Sequence, residues 1–175
     1  VLIDVMTELI KPQLGDKCFD PACGTFGFMI AANRYVNAHN DMYALSDRQA
    51  DFQQNKAFNG VELVHETHRL ALMNAYLHNM NANITLGDSL AQSAKGLKDF
   101  DVILTNPPFG TKKGGERATR DDISFQTSNK QLNFLQVIYR SLKADGKARC
   151  AVVLPDNVLF AAGDGASVRR RSEEH

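Results

Sequence analysis

Short apolar runs alternating with helical patterns constrain this chain more than any other feature. Lys17 to Phe19, Gly60 to Leu63, Ile84 to Leu86, Phe100 to Thr105 and Ala148 to Leu154 are each too short for a buried helix and read as strands. Between them, apolar residues recur at helical spacing. One set is Leu2, Ile3, Met6, Leu9 and Ile10, closed by Pro12 and Gly15. Others are Gly27 to Ala32, then Leu70, Met73, Tyr76, Leu77 and Met80, then Leu132, Leu135, Ile138, Tyr139 and Leu142, stopped by Asp145-Gly146. Strands that alternate with helices must be joined by right-handed crossovers. The chain is therefore expected to be an α/β protein with a Rossmann-like, three-layer αβα arrangement: a mostly parallel sheet covered by helices on both faces. Ligands of such sheets bind outside the carboxyl ends of the strands, where strand order reverses.

The length of 175 residues fits one domain, so residues 1–175 are expected to share a single core. Lysine plus arginine and aspartate plus glutamate balance at 20 each, which gives no bulk attraction to a polyanion. If nucleic acid is the partner, the contacts must come from a local patch or from another subunit. Cys18, Cys23 and Cys150 form no CxxC pair, and His65, His68 and His78 lack matching carboxylates, so neither a disulfide framework nor a metal is expected. No run approaches membrane-spanning length, and an intracellular, reduced, cytoplasmic setting is expected. The first residue is Val1, already inside a helical pattern, which points to a piece of a longer protein.

Acidic residues fall at three successive strand ends. Asp20-Pro21-Ala22-Cys23-Gly24-Thr25 runs from the first strand toward a helix start, where small residues admit a ligand to the backbone and free amides favour a carboxylate. Glu62 closes the second strand, placed to accept from ribose hydroxyls. Asp88, in Gly87-Asp88-Ser89-Leu90, follows the third strand and can accept from an adenine amine. Each acid alone is more often a cap or a turn former. Together they outline an adenosine bearing an amino-acid tail.

The fourth strand ends in Asn106-Pro107-Pro108-Phe109. An amide, two ring-locked residues and an aromatic plane can hold a planar amine by its hydrogens while stacking on its ring. That chemistry suits methyl transfer to an exocyclic nitrogen.

Taken in order, these three motifs resemble those of amino-group DNA methyltransferases. Leu70-Ala71-Leu72-Met73-Asn74, Asn129-Lys130-Gln131-Leu132-Asn133-Phe134-Leu135 and Val152-Val153-Leu154-Pro155-Asp156 narrow the resemblance to the modification subunit of type I restriction-modification systems. The resemblance implies an S-adenosylmethionine-dependent methyltransferase fold, of whose usual seven strands about five are legible here. It implies S-adenosyl-L-methionine as cofactor, held by Asp20, Pro21, Ala22, Gly24, Thr25, Glu62, Asp88 and Ser89. The catalytic set would be Asn106, Pro107, Pro108 and Phe109, acting on an adenine flipped out of double-stranded DNA. A specificity subunit and a restriction subunit would be the partners. Methylation of cytosine-N4 or of a protein glutamine, or a non-catalytic assembly role, are the competing readings. The chain departs from the family in lacking a threonine-proline segment before the first helix and in carrying Phe26 where a small residue is usual. That ring must then point away from the cofactor.

Thr111 to Ser128, with Lys112, Lys113, Arg117 and Arg120, is expected to be a flexible loop, either meeting DNA phosphates or simply solvated. Arg169-Arg170-Arg171 reads as an exposed helix face, and Met73 and Tyr76 as core positions.

Overall fold

The structure, a computed structural model, describes residues 1–109, 120–160 and 163–173. Helix α1 (Leu2–Ile10) leads into strand β1 (Cys18–Asp20), then come α2 (Gly27–His39), α3 (Asp47–Asn55), β2 (Phe58–Glu62), α4 (His65–Leu77) and β3 (Asn83–Leu86). The chain continues through β4 (Val102–Thr105), α5 (Lys130–Ser141), β5 (Arg149–Val152), α6 (Asp156–Phe160) and α7 (Asp164–Glu173). The strands form one sheet in the order β3-β2-β1-β4-β5, and every pairing is parallel. Strand order runs outward from β1 to β3 and then returns to β4 beside β1. The reversal between β1 and β4 is the position at which such sheets bind ligands.

Burial follows the sheet order. The central strands β1 and β4 are buried at every residue, whereas β3 and β5, at the edges, are not. Alternation divides the core between two faces. Cys18, Val102 and Leu104 pack with Met6, Phe26, Phe28, Met29 and Ala71 on the side of α1, α2 and α4. Phe19, Val61 and Ile103 pack with Phe100 and Ile138 of α5 on the other, where the Phe19 and Phe100 rings stack at 4.3 Å. The expected three-layer αβα arrangement is thus present. Among the described residues no helix is long and apolar enough to cross a membrane.

Two elements depart from the sequence-based expectation. Helix α3 carries no apolar stripe, because only Phe52 and Gln53 turn inward; it is fixed instead by a capping box between Ser46 and Gln49. In α4 the inward residues are Ala71 and Ala75, while Leu70, Leu72, Met73, Tyr76 and Leu77 are exposed. Small residues let the helix approach the sheet closely. Met73 and Tyr76 therefore do not belong to the core, contrary to their spacing.

Candidate functional site

The turn after β1 is tightly determined. Asp20 is 1% exposed, and its Oδ1 accepts from Ala22 N at 3.0 Å. Gly24 has φ +53° and Phe26 φ +73°, so the left-handed region is used twice within three residues. Glycine tolerates this and phenylalanine does not, at a cost of roughly 1–2 kcal/mol. Phe26 offsets that strain with its ring, which is 0% exposed and lies in the core among Cys23, Met29 and Phe58. The ring points away from solvent. A β-carbon at Gly60 would lie 2.9 Å from Phe26 Cε2 and 2.9 Å from both Cβ and Sγ of Cys23. The turn is seated on bare backbone.

Glu62, at the end of β2, braces the same turn. Its Oε2 accepts from Gly24 N at 3.0 Å and its Oε1 from Val64 N at 2.7 Å. Each carboxylate oxygen keeps a lone pair for a ligand. From α4, Asn74 Nδ2 donates to Thr25 O at 2.9 Å. At the end of β3, Asp88 Oδ1 accepts from Leu90 N at 2.8 Å, and Ser89 Oγ donates to Pro21 O at 2.6 Å. Beyond β4, Pro107 is buried while Asn106, Pro108 and Phe109 are exposed.

These strand ends enclose a cavity of about 350 Å³ between the β1 turn and the start of α5. Of the residues expected to act, Pro21, Ala22, Glu62, Asp88, Ser89, Asn106 and Pro108 line it. Asp20, Gly24, Thr25, Pro107 and Phe109 are not among its lining residues. Leu63, Val64, Leu90, Lys130 and Phe134 also line it and were not expected from sequence. Lys130 and Phe134 share one face of α5 by their i, i+4 spacing. That helix is fixed by Asn129 Oδ1, which accepts from Gln131 N at 3.0 Å and Leu132 N at 3.2 Å. The Asn129 cap followed by that spacing was the available signal. A second cavity of about 510 Å³ opens against α1 and the start of α2, with Gly27, Phe28 and Arg34 on its wall. Asn106 lines both cavities.

Burial pushes the Asp20 carboxyl up from 3.8 to about 7. Thr105 and the Ala22 amide oppose the shift and the Glu62 charge adds to it. Asp20 has no ion-pair partner among the described residues. Burial also raises the Cys23 thiol, with the Asp20 and Glu62 charges adding to the shift.

The basic residues of the Thr111 to Ser128 segment divide. Lys112, Lys113 and Arg117 lie outside the described residues. Arg120 is 2% exposed and paired with Asp122, so it does not face solvent or phosphate as the loop reading expected. Burial of the guanidinium demands a partner, and Asp122 supplies it. Arg170 is exposed on α7, whereas the side chains of Arg169 and Arg171 lie outside the described residues.

Comparison with known proteins follows the same lines. The profile of the N-6 DNA methylase family matches residues 1–174. The type I restriction enzyme StySPI methylase subunit of Salmonella potsdam is 46% identical over 97% of this chain and 32% of its own length. The crystal structure of the type I restriction enzyme EcoKI M protein superposes with a TM-score of 0.89 at 44% identity, over 97% of this chain and 36% of that one. A Listeria monocytogenes protein assigned to the class I S-adenosylmethionine-dependent methyltransferases shares the fold alone, with a TM-score of 0.65 at 18% identity over 99% of this chain and 49% of that one. This chain spans about a third of the length of the curated relatives it matches.

Proposed function

Since this chain belongs to the N-6 DNA methylase family, we propose that it is the methyl-transferring part of a type I modification subunit, which methylates the N6 of an adenine in double-stranded DNA. One observation carries the reading. A single cavity at the reversal of strand order is lined both by two acids, Glu62 and Asp88, and by Asn106 with Pro108.

The residues fit S-adenosyl-L-methionine. Apolar and aromatic walls from Leu63, Leu90, Pro108 and Phe134 suit an adenine ring, and Asp88 can accept its amine hydrogen. Glu62 keeps lone pairs for the ribose hydroxyls. Asp20, a buried carboxylate without a cationic partner among the described residues, suits the amine of the tail, and the backbone amides at the start of α2 suit its carboxylate. When bound, the cofactor supplies an electrophilic methyl group on a sulfonium.

The chain's own residues prepare the amine. An adenine amine is a weak nucleophile because its lone pair is delocalised into the ring. Asn106 Oδ1 and the Pro107 carbonyl oxygen each accept one amine hydrogen, which lets the nitrogen pyramidalise. Phe109, whose ring is 57% exposed, stacks on the flipped base. No strong base is required: once alkylated, the nitrogen is cationic and readily loses its proton. Positioning carries the rate.

The formal charge of zero agrees with sequence recognition by a separate specificity subunit, and a restriction subunit completes the cytoplasmic complex. The test is transfer of tritiated methyl from S-adenosylmethionine to DNA by the full-length subunit with its specificity partner. Asn106→Ala should abolish transfer while leaving cofactor binding in place. Unchanged transfer would remove Asn106 from its role.

A further inference from the structure

Among the described residues Arg120 is the largest fully buried side chain, and its donors are spent in a telling way. Nε donates to Asp122 Oδ1 at 2.9 Å and Nη2 to Asp122 Oδ2 at 2.7 Å, a two-pronged pair that fixes the plane of the guanidinium. Nη1 is thereby aimed across the fold at the carbonyl of Ser89, 3.2 Å away. Ser89 is held from its other side as well, because its hydroxyl donates to Pro21 O. Neighbouring contacts lock the two segments together. Asp121 N donates to Gln92 Oε1 at 3.0 Å, Lys95 pairs with Asp121 at 2.7 Å, and Ile123 packs with Leu90, Phe134 and Val137.

A buried ion pair adds little net stability compared with apolar residues of the same shape, so stability alone does not explain an arginine here. What an apolar residue cannot supply is a donor to the Ser89 carbonyl, buried in the wall of the cavity. We propose that Arg120 is a positioning residue for cofactor binding: it fixes the Asp88–Leu90 wall against Pro21 and Phe134, and so ties the segment following the Asn106–Phe109 motif to cofactor affinity. This rests on the reading of the cavity as the S-adenosylmethionine site. A consequence is that cofactor affinity responds to the order of residues 120–123, which belong to the segment between the base-binding motif and α5.

Two variants test it. Arg120→Met with Asp122→Leu removes both charges together and leaves no orphaned ion, while Arg120→Lys keeps the ion pair but lacks a second prong to reach Ser89. Binding is measured calorimetrically with S-adenosylmethionine and S-adenosylhomocysteine, and folding by urea. Both variants should bind both ligands about ten-fold more weakly, equally for each because the wall meets the shared adenosine. The urea midpoint of Arg120→Lys should fall, since the Ser89 carbonyl loses its donor, but the variant should stay fully folded under the binding conditions, and in the full-length subunit KM for the cofactor should rise while kcat holds. Wild-type affinity in Arg120→Lys overturns the proposal even if the double variant fails to fold. A midpoint in Arg120→Lys so low that unfolding accounts for the whole affinity loss overturns it too. Absence of binding by the wild-type chain would instead overturn the cofactor reading, and this role with it.

Discussion

Replacing Phe26 by glycine sets two terms of opposite sign against each other, and the structure gives both. The ring is 0% exposed, and deleting a buried phenylalanine side chain costs about 3–5 kcal/mol in transfer and cavity terms. Its backbone sits at φ +73°, so glycine recovers roughly 1–2 kcal/mol of left-handed strain. The expected net loss is about 1–4 kcal/mol. Gly60→Ala, by contrast, places a methyl 2.9 Å from Phe26 Cε2 and from Cys23, an overpacking worth roughly 1–3 kcal/mol. Combining the two removes the ring contact but leaves the Cys23 contacts. The double variant should therefore be more stable than the sum of the singles by about 0.5–1 kcal/mol. Equilibrium urea unfolding with unchanged slopes measures all four corners of the cycle. Phe26→Gly should also bind S-adenosylmethionine with nearly wild-type affinity, because the ring faces the core. An additive cycle, or a stabilised Phe26→Gly, would refute the packing argument.

Three further outcomes are expected. Asp20 is held up to about 7, so between pH 4 and 7 the folded chain keeps a proton that the unfolded chain gives up. Its contribution to stability is then fully present below about pH 4, is lost as pH rises toward 7, and is flat above that. Asp20→Asn keeps an acceptor for the Ala22 amide and should raise the urea midpoint at pH 8 while weakening cofactor binding. If Asp20 meets a cationic cofactor, binding releases a proton near pH 7, and affinity falls about ten-fold per unit below it. Calorimetry in two buffers of different ionisation heat checks the release, and its absence would place Asp20 away from the cation. On α4, Met73→Ser and Tyr76→Ser should each cost less than about 0.5 kcal/mol, and Ala71→Leu about 1–3, by urea denaturation of this chain. Phe109→Ala should slow methyl transfer by the full-length complex without moving the urea midpoint of the chain, since the ring is 57% exposed. A fall in midpoint would make Phe109 a packing residue.

Legibility differed by element for physical reasons. The strands were readable because five short apolar runs must end where water or a ligand begins, although β1 lies one residue later and β2 begins two residues earlier than expected. Helix α3 was missed because a helix fixed by a capping box and two inward side chains leaves no apolar period. The buried face of α4 is not the one its large apolar residues mark, because alanines set the contact. In the site, acids at strand ends announced themselves by position. Lys130 and Phe134 did not, since their place on the wall depends on how α5 folds back over the sheet.

By itself the sequence determined the alternation of strand and helix, hence the parallel sheet, the end of it at which sheets of this kind bind ligands, and several of the side chains that line the cavity there. These follow from local periodicity and from the handedness of crossovers, which every stretch of chain carries within itself. Only the tertiary structure decided that Phe26 spends its ring in the core over Gly60, that Asp20 is buried without a cation beside it among the described residues, and that Arg120 braces Ser89 instead of meeting solvent. Those outcomes depend on which atoms arrive from distant parts of the chain, and local pattern holds no record of that.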